Sequence, residues 1–214
     1  MKDLSRYIDR KNAVRYMGFK GKAPDRFSEI FDECEKLLED AMTPRSVYIV
    51  RGVSELSGIL TGDDIASHLS GCDRAVVFAA TLGAKVDALI GKYQCIDVTM
   101  ALILDAEASA AIEAYCDEMS DKIASSFDAR LTSRFSPGYG DYPLEVQRDL
   151  LKYIDAERKI GVFAGESLML SPSKSVTAVM GIADSILNDH GRSCTSCEMR
   201  DKCAFRREGE DCGL

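Results

Sequence analysis

Tryptophan is absent from the 214 residues and aromatic side chains make up only 7% of them, which excludes a recognition surface built on indole stacking. Long apolar runs are absent too. No stretch approaches the roughly 18 uncharged apolar residues that a membrane-spanning helix requires. The first residues, MKDLSRYIDRKNAVRY, put charges where a signal peptide carries its apolar region, and these two absences together place the expected protein in the cytoplasm, away from membranes. There is no internal repeat and no low-complexity linker. With 46% hydrophobic and 29% charged residues, neither a disordered nor a fibrous chain is expected. The length suits one domain with a small appendage.

Basic charge is scarce outside the first residues. The chain holds 27 basic against 35 acidic side chains, a net charge of −8. Lys2, Arg6, Arg10, Lys11, Arg15, Lys20, Lys22 and Arg26 face only Asp3, Asp9 and Asp25 in residues 1–26. The body that follows is therefore strongly acidic, and it lacks the continuous basic footprint that phosphate-backbone contact requires, so no nucleic-acid partner is expected. The basic segment suits either an acidic protein partner or a solvated helix face.

Cysteine, by contrast, is plentiful and uneven. Of eight cysteines, Cys34, Cys72, Cys95 and Cys116 are scattered singly in apolar or helical stretches and read as small packed hydrophobes. Cys194, Cys197, Cys203 and Cys212 crowd the tail. In a reducing compartment such a cluster points to metal or redox chemistry before disulfides. These four thiolates suit tetrahedral ligation of zinc or of a 4Fe–4S cluster, and Arg192, Arg200, Lys202, Arg206 and Arg207 would offset the charge. The domain division is residues 1–190 and a four-cysteine tail over 191–214.

Helical and strand periodicities interleave along the body. Helices are expected over residues 8–17, 25–42, 63–69, from 83 through 90, 97–124 and 144–157, and β-branched runs predict strands over 47–53, 75–81, 160–164 and 175–182. Strands cluster in two places without a regular helix between each pair, so the fold class is α+β. On the long helix Ala101, Ala106, Ala108, Ala110, Ala111 and Ala114 lower the bulk, and Ser109, Glu113, Asp117 and Asp121 recur every four residues on a face expected to meet solvent.

Residues 134–143, RFSPGYGDYP, compress two prolines, two glycines and two tyrosines into a loop. Pro137 presets φ near −65° and Gly138 accepts positive φ, which predicts a tight turn whose backbone a ligand can approach. Arg134 before the turn can hold a carboxylate through two charge-assisted hydrogen bonds, and Tyr139 after it offers a flat face and a hydroxyl.

The order Arg134-x-x-Pro137-Gly138-Tyr139, then Pro143, an amphipathic helix, Glu166-Ser167 and Pro172-Ser173-Lys174-Ser175-Val176, resembles the S-adenosylmethionine-binding activation domain of cobalamin-dependent methionine synthase. The likeness is closest over residues 134–182 and extends loosely back through the long helix and the Thr81-Leu82-Gly83 turn. That family implies a twisted antiparallel sheet flanked by helices in a bent, helmet-like shape. It also implies a repair reaction. Cob(I)alamin that has been oxidised to cob(II)alamin is restored to methylcobalamin, with a methyl group from S-adenosylmethionine and an electron from reduced flavodoxin or ferredoxin.

By this resemblance Arg134 would grip the carboxylate of S-adenosylmethionine, and the backbone of Ser136, Pro137 and Gly138 would line the ligand. Tyr139 would lie at the corrin face as the residue nearest the chemistry. Ser173, Lys174 and Ser175 would form a wall of sheet, and Glu107 or Glu113 would complement the ribose or the sulfonium charge. His68 and His190 lack the Asp-x-His-x-x-Gly setting of a corrinoid-binding module, so the cobalamin is expected on a partner, a corrinoid methionine synthase or a related methyltransferase. The cysteine tail and the lack of a tyrosine-rich segment after Ile182 depart from the family pattern. Two other readings of the chain stand beside it, an iron–sulfur electron-transfer protein and a zinc-stabilised interaction module.

Overall fold

The computed structural model describes residues 4–19 and 25–183. Among them run seven α-helices, α1 (Arg10–Tyr16), α2 (Ser28–Ala41), α3 (Asp63–His68), α4 (Ala84–Ile96), α5 (Val98–Phe127), α6 (Val146–Ile154) and α7 (Ala156–Ile160). The strands are β1 (Arg45–Gly52), β2 (Arg74–Thr81), β3 (Arg130–Leu131), β4 (Phe163–Ala164), β5 (Leu170–Ser171) and β6 (Ser175–Ala183). The cysteine tail lies outside the described residues.

The sequence of β2, RAVVFAAT, does not alternate because seven of its eight residues are buried, on both faces of a four-stranded sheet of order β1-β2-β6-β3. All three pairings are antiparallel, with Val77 opposite Ile49 on one side and Val179 on the other. Since successive side chains point to opposite faces, β2 feeds two cores. Val76, Phe78 and Ala80, with Met180 and Ile182 of β6, pack against Phe31 and Leu38 of α2 and Ile103, Leu104 and Ala108 of α5. Ala75, Val77 and Ala79, with Val179, meet Ile65 of α3, Tyr142, Leu150 and Ile154 of α6, and Val162. The sheet is thus sandwiched between two helical layers, an α+β architecture in line with the expected class.

The long helix α5 begins where Asp97 accepts hydrogen bonds from the amides of Thr99 at 2.8 Å and Met100 at 3.2 Å. It ends where Asp128 turns left-handed at φ 47°. Its alanines let it touch β2 and β6 on one side while α1, α2 and α4 cover the other.

Three local readings change. The segment 144–157 is two helices, because Asp155 takes a left-handed φ of 57° that closes α6 before α7 starts. Residues 160–164 are not one strand: Ile160 ends α7, Gly161 caps it at φ 74°, and only Phe163–Ala164 pairs, with Leu170–Ser171. Cys34, Cys72 and Cys116 are buried as expected, but Cys95 is exposed on α4. Two cations of the basic amino-terminal segment, among its described residues, are ion-paired within the protein. Arg10 bridges Asp32 at 2.5 Å and Glu35 at 2.7 Å, and Arg6 meets Glu118 at 3.2 Å. Among the described residues no helix is long and apolar enough to cross a membrane.

Candidate functional site

Arg134 lies on the chain between β3 and the glycine-rich loop, one residue before Phe135, whose amide donates to Val179 of β6 at 3.0 Å. Its side chain is only 10% exposed and reaches back to α5. Nη2 stands 2.7 Å from Glu113 Oε2, Nη1 stands 2.7 Å from Asp117 Oδ1, and Ser120 Oγ lies 3.5 Å from Nη1. The helix face read as solvated carboxylates is therefore an acidic stripe that holds a nearly buried cation. One turn apart along the same stripe, Asp105 and Ser109 hold a second cation, Lys174, at 2.8 and 2.9 Å. Lys174 is only 12% exposed.

The loop after Arg134 is fixed by its own chemistry. Tyr139 N donates to Ser136 O at 3.1 Å, with Pro137 second and Gly138 third at φ +93°, which is a type II turn. Pro137 is buried and Gly138 exposed. A second turn, in which Tyr142 N donates to Tyr139 O at 2.9 Å, carries Gly140 at φ +53°. Any Cβ at Gly140 would sit 2.0 Å from Asp64 Oδ2, so only glycine allows that approach. Tyr142 closes the loop from beneath: fully buried, it donates its hydroxyl to Ile59 O at 2.9 Å, and burial raises its pKa well above the ordinary phenol range.

Phe135 anchors the aromatic surface here. His68 lies over it with ring centroids 4.9 Å apart, Tyr142 at 6.1 Å, and Tyr139 edge-on at 5.8 Å. His68 Nε2 is 2.9 Å from both Ser133 O and Thr132 Oγ1, so it braces the segment between β3 and Arg134. Tyr139 itself is 45% exposed, which leaves part of its ring open beside the loop.

The wall at the other end of the stripe is tied to the Thr81-Leu82-Gly83 turn. Ser173 donates its amide and its hydroxyl to the two carboxylate oxygens of Asp87 at 2.7 and 2.8 Å. Lys174 O accepts from Leu82 N at 3.0 Å, and Ser175 Oγ donates to Thr81 Oγ1 at 2.8 Å.

The structure thus gathers Arg134, Ser136, Pro137, Gly138, Tyr139 and Glu113 into one region. Ser173, Lys174 and Ser175 stand farther along α5. Glu107 is not brought to either group. It is fully buried on the side of α5 that meets α1 and α2, and neither carboxylate oxygen has a hydrogen-bond partner. Burial, then the nearby Glu35 carboxylate, pushes its pKa up to about 8, while Arg10 pulls it down. Asp64, Asp141, Phe135, His68 and Tyr142 escaped sequence reading. Apart from the ring contacts of Phe135 with Tyr139 and Tyr142 inside the loop, their partners are remote in the chain, and no local spacing announces them.

The fold is an α+β sheet-and-helix sandwich with an antiparallel four-stranded sheet. It is similar to a solved structure described as the MetH reactivation domain bound to AdoHcy, with a TM-score of 0.63 and 16% sequence identity. The alignment covers 98% of this chain and 83% of that one. The antiparallel sheet flanked by helices expected from the sequence is the fold of that domain. No family model matches the sequence, and no curated protein does.

Proposed function

We propose that the chain binds S-adenosylmethionine at the Arg134 loop and supports the reductive methylation of cob(II)alamin carried by a separate corrinoid protein, of the cobalamin-dependent methionine synthase kind. The observation that carries this reading is the nearly buried Arg134 guanidinium beside a fixed Pro137-Gly138 turn, on a fold whose solved relative holds AdoHcy. The corrinoid, held by its own protein, would accept the sulfonium methyl as a methyl cation once a flavodoxin- or ferredoxin-type donor had supplied one electron.

This chain's residues supply binding and orientation. Arg134 takes the ligand carboxylate, and the exposed edge of the turn at Gly138 lets the ligand lie against backbone without a Cβ between them. Tyr139, half exposed, covers the ligand on the side from which the corrinoid approaches. Glu113 is the carboxylate of the site. Glu107, facing α1 and α2, is left out of it. The four tail cysteines are proposed to hold an iron–sulfur cluster or zinc. Visible absorbance that bleaches on reduction identifies the cluster, and colourless protein with stoichiometric zinc identifies the metal.

Calorimetric titration of the full chain with S-adenosylmethionine, alone and with a cobalamin-loaded methionine synthase, tests the reading. Arg134→Ala is expected to weaken binding by about 1.5–3 kcal/mol, the range for a hydrogen-bonded charge that loses its partner. Absence of binding in both settings refutes it.

A further inference from the structure

The four-stranded sheet has two margins, and only one of them leads to the Arg134 loop. At one end of the order β1-β2-β6-β3, β3 runs toward that loop, while β1 closes the opposite end. The register of β1 against β2 is unbroken from Arg45 to Gly52, with no proline or bulge to blunt its outer side. Val53 N donates to Asp73 O at 2.9 Å, which continues that register and fixes its phase. Odd-numbered residues of β1 therefore bond to β2, and the even-numbered ones turn amide and carbonyl outward. Two outward groups are taken: Gly52 N donates to Glu55 Oε1 at 2.9 Å, and Val50 O accepts from Arg51 Nη1 at 2.8 Å. The amides and carbonyls of Ser46 and Tyr48, with the Val50 amide, have no partner among the described residues.

The side chains along this edge define what can pair with it. Arg45, Val47, Ile49 and Arg51 share one face. Val47 and Ile49 pack on the core beneath α6 and α7, and both arginines are exposed and meet no carboxylate among the described residues. On the other face Ser46 Oγ accepts from the Tyr115 hydroxyl at 3.2 Å, and the Tyr48 ring is exposed. A second copy of the chain fits poorly. Antiparallel pairing about Tyr48, the register that uses Ser46, Tyr48 and Val50 of both strands, sets each Arg45 against an Arg51, and like charges directly opposite destabilise a strand pair. A strand with carboxylates at those two places has the complementary charge.

We propose that the outer edge of β1 takes an extended acidic segment of a partner protein as a fifth strand, with carboxylates facing Arg45 and Arg51 and apolar side chains facing Val47 and Ile49. Main-chain bonds to Ser46, Tyr48 and Val50 supply the pairing. The two arginines, roughly 20 Å apart along the strand, select the sequence. The segment that fits reads Glu-x-Val-x-Val-x-Glu. Because β1 and β3 are opposite margins of the sheet, this surface does not depend on the S-adenosyl reading.

Fluorescence anisotropy of a labelled ETVTVTE peptide titrated with the full chain tests it, beside the same peptide with both glutamates replaced by lysine. The wild type is expected to prefer the acidic peptide by about tenfold or more, a preference that salt weakens. Arg45→Glu combined with Arg51→Glu, first shown to melt as the wild type does, is expected to reverse it. Methylating alternate backbone amides of the peptide leaves its charges and removes strand bonds, so methylation in one phase is expected to abolish binding and in the other to spare it. No binding of the acidic peptide means that the arginines only guard the edge, and it overturns the proposal. Equal binding of both peptides, or equal tolerance of methylation in either phase, overturns it too. So does a dimer in sedimentation that Tyr48→Pro dissociates, since that variant removes an outward amide and no bond to β2, and the edge then belongs to a second copy.

Discussion

Asp64 and Asp141, 77 residues apart, cap one another. The Asp141 carboxylate accepts from the amides of Asp63 at 2.6 Å and Asp64 at 3.0 Å, the first two of α3, while the Asp64 carboxylate accepts from Asp141 N at 3.0 Å. Helix α3 and the glycine-rich loop are thereby joined at their exposed ends. Asp141→Ala removes one carboxylate and leaves the α3 amides without an acceptor, at a cost of about 1–2 kcal/mol as for other lost helix caps. For a protein of this size that lowers the melting temperature by roughly 2–6 °C. Thermal unfolding checks it, and hydrogen exchange should show faster opening in residues 134–143. An unchanged melting temperature would mean the reciprocal cap contributes nothing.

Two glycines separate conformational strain from close packing. Gly140 and Gly161 both have positive φ, +53° and +74°. Gly161 faces open space, whereas a Cβ at Gly140 would meet Asp64 Oδ2 at 2.0 Å. Gly161→Ala carries only the left-handed backbone penalty, about 1–2 kcal/mol. Gly140→Ala carries that penalty and also displaces Asp64 from its bond to Asp141. The second substitution is expected to cost more in denaturant unfolding and to loosen the loop, and equal costs for the two would contradict the close approach.

The sequence was legible where one stretch of chain carries its own physics. β2 could be read because burial on both faces leaves no polar alternation, and the Pro137-Gly138 turn because proline and glycine dictate its φ values. The stripe on α5 was legible as a pattern, but its meaning was not. Glu113 and Asp117 recur at solvent-helix spacing, and only the return of the chain after β3 brings Arg134 onto them. Glu107 is one of several acidic residues on an alanine-rich helix, and what buries it is the packing of α1 and α2, which no spacing on α5 announces. The strands β3, β4 and β5, each of two residues, are too short to show a period.

Tyr142 tests how firmly the loop is held from below. Its hydroxyl is buried and donates to Ile59 O at 2.9 Å. Tyr142→Phe keeps the ring against Phe135 and removes only that donor, so Ile59 keeps a carbonyl with one partner fewer. The expected cost is about 1–2 kcal/mol in urea unfolding, with no change in slope. A neutral result would mean that water replaces the hydroxyl there.

Glu107 sets a pH dependence whose sign follows from its surroundings. The carboxyl has no hydrogen-bond partner, and from α2 it faces the Cys34 thiol and the Glu35 carboxylate, with Arg10 of α1 the cation nearby. Its folded pKa of about 8 lies above the ordinary value of 4.5, with burial the largest cause and Glu35 the next. The folded state therefore holds a proton that the unfolded state has released between these two values. Stability contributed by the protonated carboxyl is complete below about pH 4.5 and is lost as pH rises toward 8. Glu107→Gln, which cannot ionise, should leave stability near pH 5 little changed and should exceed the wild type at pH 8–9 by about 2–5 kcal/mol, the free energy of a shift of this size. Urea unfolding of both proteins from pH 5 to 9 measures it. Parallel curves across that range would mean that Glu107 is hydrated in solution and titrates as an ordinary carboxylate.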